Sequence, residues 1–134
     1  MEDTISDIRE EMADNIIMYG GGTTIEYLSS SLYNDWLEDW SEEMEYNDFV
    51  DELLNEHTDD GKTLLYIAVE QNRPGVVNAL LAGGADPNIA IVSGLHEKPL
   101  AKAYKIEKKN LDNFDRERNA IIINALINSG ATEQ

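Results

Sequence analysis

The sequence predicts an all-α chain: a stack of helical hairpins behind an N-terminal helical cap. Three observations predict it. Residues 60–88 run through a turn, a short apolar-faced helix, a second such helix and a glycine stop. Residues 98–132 repeat that order more loosely. Residues 5–36 carry apolar side chains at helical spacing, interrupted by three glycines.

From the N-terminus, Ile5, Ile8, Met12, Ile16 and Tyr19 define one face of a first helix. Gly20-Gly21-Gly22 ends it as a linker, since no Lys-Ser/Thr follows to make a phosphate loop. Thr23-Thr24-Ile25-Glu26 reads as a capping box for the next helix. Ile25, Leu28, Leu32 and Trp36 share a face of that helix. Ser41 or Asn47 caps a further helix carrying Phe49, Val50, Leu53 and Leu54.

The central stretch is the most explicit. Asp60-Gly61 is a turn, and Thr63 is placed to accept a backbone N–H at the start of a helix. Leu64, Leu65, Ile67 and Ala68 are its buried side. Pro74 suits the first turn of a second helix, where its missing N–H costs nothing. Val76, Val77, Leu80 and Leu81 are the apolar face, and Gly83-Gly84 supplies the left-handed stop.

Residues 60–88 resemble one ankyrin repeat almost position for position. The family's Thr-Pro-Leu-His is here Thr63-Leu64-Leu65-Tyr66, so the hydrogen bond of the missing histidine falls to the Tyr66 hydroxyl, or Tyr66 simply packs. A degenerate copy follows, with Lys98-Pro99-Leu100-Ala101-Lys102-Ala103 opening its first helix and Ile121 to Thr132 its second helix and exit. The exits at Gly84 and Gly130 lie 130 minus 84, or 46, residues apart. A standard repeat takes about 33. The surplus falls in the charged segment 106–118, which lengthens the helices or protrudes as a loop. The second copy is expected to be a C-terminal cap. Phe49 to Asn55 resembles the end of a degenerate preceding repeat. We read one domain, with residues 1–58 as the acidic helical cap and 59–134 as the repeats.

The resemblance implies a scaffold that grips macromolecules and brings no catalytic group. It implies that loop tips and first helices form the binding side: Asp59, Asp60 and Lys62, then residues 89–96, including Ile91, Leu95 and His96.

Charge narrows the partner. The chain of 134 residues carries a formal −17. Residues 1–60 hold 19 acidic residues and one basic residue, Arg9, for −18; residues 61–134 contribute +1. A dense anion is repelled by phosphates, so neither bare nucleic acid nor an anionic membrane is the expected partner. A basic protein surface is the natural complement. The densest run gives Asp35, Glu38, Asp39, Trp40, Glu42, Glu43, Glu45 and Tyr46 as candidate contacts, acids for Lys and Arg with aromatic anchors between them.

Other chemistry finds little support. Asp35, Leu37 and Asp39 break the alternation of a calcium loop, with Trp40 where glycine would stand. His57 and His96 are the only histidines, far apart and without cysteine, so no zinc site is expected. No metal, cofactor or catalysis is expected. The absence of cysteine, of an apolar run of membrane length and of a secretory leader fits the cytoplasm.

The expectation is a non-enzymatic inhibitor or immunity-type protein. Its acidic surface would occlude a basic partner, such as a nucleic-acid-directed toxin or enzyme. The alternative is an ankyrin adaptor or host-directed effector that holds a protein segment on its concave face.

Overall fold

The structure is a computed structural model and describes residues 5–29, 51–92, 94 and 96–133, the side chains of residues 27 and 29 aside. Among the described residues the architecture is all-α. Helices α1 (Ile5–Tyr19) and α2 (Gly22–Ser29) form one hairpin. Helices α3 (Leu64–Glu70) and α4 (Pro74–Ala82) form the next, and α5 (Pro99–Glu107) and α6 (Asn113–Asn128) the third. Residues 51–54 are also helical.

The hairpins stack in two layers. α3 packs between α1 and α5, and α4 packs between α2 and α6. No single hairpin can bury both of its faces, so the core is continuous through the stack. Ile8, Met12 and Ile16 from α1 join Leu53, Leu54, every residue of α3 from Leu64 to Val69, and Val76, Val77 and Leu80 of α4. Leu100, Ala103, Ile106, Ile122 and Leu126 continue it into the third hairpin.

Local chemistry matches the expected elements in the central hairpin. Thr63 Oγ1 accepts from Tyr66 N at 3.1 Å, capping α3. Pro74 occupies the first turn of α4. The exit differs by one residue from expectation: Gly83 stays right-handed and Gly84 alone turns left-handed, at φ 109°. Ala85 N then donates to Leu80 O and Gly84 N to Leu81 O, satisfying the last carbonyls. Ala131 N to Leu126 O and Gly130 N to Ile127 O repeat the same closure on α6.

An asparagine ladder ties the exits together. Asn55 donates to Gly84 O and accepts from Asp86 N; Asn88 donates to Gly130 O and accepts from Thr132 N. Asn55 therefore closes one stacking unit as Asn88 closes the next. The extra length of the third hairpin goes into helix. α6 has 16 residues against 9 in α4, and Asp112 caps it by accepting from Asp115 N at 2.8 Å.

Two N-terminal expectations need correction. Tyr19 is 75% exposed rather than on the buried face, because Gly20 ends α1 immediately after it. Thr23-Thr24-Ile25-Glu26 is not a capping box, since α2 already starts at Gly22. The cap comes from α1 instead: Asn15 Oδ1 accepts from Thr24 N at 3.0 Å and from the Thr24 hydroxyl at 2.9 Å. A side chain from the preceding helix thus does what an N-cap residue does locally. The expectations for Leu32, Trp36, Ser41, Asn47, Phe49 and Val50 lie outside the described residues.

Candidate protein-binding face

The inner layer carries an ordered array of charged side chains. Lys62 and Glu97 each stand one residue before the N-cap of an inner helix, Thr63 for α3 and Lys98 for α5. Glu70 and Lys105 lie eight residues further on. Lys62 Nζ meets Glu70 Oε1 at 2.9 Å along α3, and Lys105 pairs with Glu97 along α5. The same pair recurs in both hairpins with its charges exchanged.

Tyr66 links the two. Its ring is buried, and its hydroxyl donates to Glu97 Oε1 at 2.7 Å. Lys62 Nζ sits 6.0 Å from the ring centroid, a cation–π distance. The hydroxyl therefore ties α3 to the start of the third hairpin, and the ring packs as well. Burial, then the Glu97 hydrogen bond, holds the Tyr66 hydroxyl well above its ordinary pKa. For Glu97, burial pushes the carboxyl up, but the hydrogen bonds from Lys105 and Tyr66 outweigh it and hold it below its ordinary value.

This gives a stability prediction with a defined sign. A carboxyl with a depressed folded pKa stabilises above its unfolded pKa and loses that contribution as pH falls through the folded one. Tyr66→Phe is expected to cost about 1–2 kcal/mol at neutral pH, the value of a hydrogen bond to a charged group. Urea titrations should show the gap between Tyr66→Phe and the parent chain narrowing as pH drops below the ordinary carboxylate range. A gap unchanged down to that acidity would contradict the assignment.

The acidic side begins at α1. Arg9, its one cation, is turned inward and only 7% exposed. Its guanidinium donates to the backbone carbonyls of Leu53 at 3.3 Å and His57 at 3.4 Å, and to that of Glu52. It ties α1 to the chain at residues 52–57. Glu11 and Asp14 are exposed, and Glu10 is half-buried. Glu10 accepts from Asp59 N at 3.3 Å through both oxygens, which joins α1 to the tip at Asp59 and Asp60, both exposed. Glu10, Glu11, Asp14, Asp59 and Asp60 thus form one acidic stretch.

The second tip is arranged differently. Ile91 is half-buried, its N–H donating to Glu97 O; Val92 is 55% exposed; His96 is exposed at φ 53°. His57 bridges to this tip, its Nε2 2.7 Å from Ala90 O. Of the expected contacts, Asp59 and Asp60 fall together on the acidic stretch, while Ile91 and His96 fall on the second tip. Asp35, Glu38, Asp39, Trp40, Glu42, Glu43, Glu45, Tyr46 and Leu95 lie outside the described residues.

Glu10, Glu11 and Asp14 were not singled out by the sequence. The usable signal was Arg9 itself, which falls beside Ile8 and Met12 on the apolar face of α1. Among the described residues, no group of His, Cys, Asp and Glu is placed to hold a metal ion. None of the described helices is long and apolar enough to cross a membrane.

No curated protein and no solved structure gives a match to this chain. The family model for the ankyrin repeat matches residues 60–91, the stretch running from the first tip through α3 and α4 to the second tip. Such repeats are protein-interaction modules that typically carry no catalytic group. With the capped helical hairpin, the glycine exit and the asparagine ladder in place, residues 60–91 have the build of the ankyrin repeat whose family model they match.

Proposed function

We propose that this protein is an inhibitor or immunity-type protein that covers a basic surface on a partner protein with its acidic half. The observation that supports the reading is the inward turn of Arg9. It leaves α1 with acids and no cation outside, continuous through Glu10 with Asp59 and Asp60. Residues 35–48 add seven of the 19 acids of residues 1–60, a concentration that repels itself in the free protein. A basic partner relieves that repulsion. A nucleic-acid-directed toxin or enzyme has such a surface, and carboxylates would stand there in place of phosphates.

The second reading is an ankyrin adaptor or host-directed effector that binds a protein segment through the second tip. The exposure of Val92 and His96 favours it. One set of variants separates the two, tested against a partner captured at low salt and identified by mass. Changing Asp35, Glu38, Asp39, Glu42 and Glu43 together to Lys abolishes binding under the first reading. Under the second it leaves binding intact, and changes at Ile91, Leu95 and His96 damage it instead.

A further inference from the structure

Across the inner layer the charge is ordered, not mixed. At one edge, α1 presents Glu10, Glu11 and Asp14 with its cation spent inward. In the middle, Lys62 and Glu70 cancel each other. At the other edge, Lys105 is paired with Glu97, but Lys102 reaches Glu70 only at 4.0 Å, and Lys108 and Lys109 are exposed just beyond α5. Glu107 offsets one of these. The face therefore runs from negative at α1, through neutral at α3, to positive at α5.

We infer that this face takes a bipolar protein segment in one orientation, with its basic end on α1 and its acidic end on α5. The inference rests on the protein-binding reading above and adds to it the partner's charge order. Neighbouring helix axes lie about 8–10 Å apart, so α1 to α5 is roughly 20 Å, the reach of about six extended residues. A uniformly basic segment gains at α1 and is repelled at α5. A uniformly acidic one meets the reverse. Only a segment whose charge changes sign along its length gains at both edges, and like-charge contact penalises the flipped orientation. A second copy in two-fold register also matches acid to base, but it brings together two chains of −17 each.

The test uses synthetic peptides of about twelve residues, long enough to cross the three helices. One has a Lys block, a Gly-Ser spacer and a Glu block; one has the same composition with Lys and Glu alternating; one is Lys-only. Each is titrated into the full chain at low salt by fluorescence anisotropy. Spin labels at either end of the block peptide are read by backbone amide broadening.

The block peptide is expected to bind more tightly than the alternating one. A label at its Glu end should broaden amides of α5, and a label at its Lys end those of α1. Changing Lys102, Lys108 and Lys109 together to Glu should weaken the block peptide by about tenfold. The same change should not weaken the Lys-only peptide. Equal affinity for block and alternating peptides, or broadening of both edges from either label, would overturn the inference. So would a chain dimer that the block peptide fails to displace. If those failures occur while the Lys-only peptide still binds, the acidic-surface reading survives and only the charge order falls.

Discussion

Replacing Arg9 with methionine is expected to lower the unfolding free energy by about 2–4 kcal/mol. Methionine keeps most of the apolar stem, so the loss comes from the guanidinium. Its three acceptors are the carbonyls of Glu52, Leu53 and His57, which join α1 to the chain leading into the central repeat. Swapping a buried ion pair for apolar side chains is often harmless because both charges leave together. Here the acceptors are backbone carbonyls and cannot be removed, so those that stay buried are left unpaired. Urea denaturation of Arg9→Met against the parent chain measures the difference. A loss below about 0.5 kcal/mol, the scale of an ordinary surface substitution, would mean that Arg9 is not a tie.

Gly21→Ala is expected to be at least as damaging, at roughly 2–5 kcal/mol. Gly21 adopts φ 85°, which a Cβ resists, and that Cβ would lie 2.3 Å from Val76 Cγ2. Val76 is 1% exposed in the core of α4 and has no free space to retreat into. The α1–α2 turn is thus pressed against the next hairpin, and the added methyl pries the two apart. Gly130→Ala is the matched control. It sits at φ 90° with nothing within 4 Å of the added Cβ, so only backbone strain remains, about 1–2 kcal/mol. Thermal melts of both variants should rank them in that order. Equal losses would show that the contact with Val76 is not tight.

The sequence made the central hairpin legible because its signals are local. Thr63 caps its own helix, Pro74 starts one and Gly84 ends one, each within four residues of where it acts. The sequence leaves the insertion at 106–118 open between helix and loop; the structure makes 108–112 a short link and, with Asp112 as the cap, turns the rest into helix. The N-terminal hairpin was harder because its decisive contacts are remote. Asn15 caps a helix that begins seven residues later, and Arg9 bonds to carbonyls more than forty residues away. No window of helical period detects either contact.

The face was legible in charge but not in arrangement. The excess of −18 in residues 1–60 was plain, yet the sign of α1's outer side depends on where one arginine points. The exchanged pairs, Lys62 with Glu70 and Glu97 with Lys105, stand at matching positions in two hairpins. They become visible only once Thr63 and Lys98 are recognised as equivalent caps, because the third hairpin lacks a capping hydroxyl there.

The most direct measurement is the dissociation constant for the captured partner as ionic strength rises. Raising salt from about 0.1 M to 1 M shortens the Debye length from about 10 Å to about 3 Å. If carboxylates cover a basic surface, binding weakens over that range by a factor on the order of 10–100, mostly through slower association. Affinity that holds steady to molar salt would contradict an electrostatic cover.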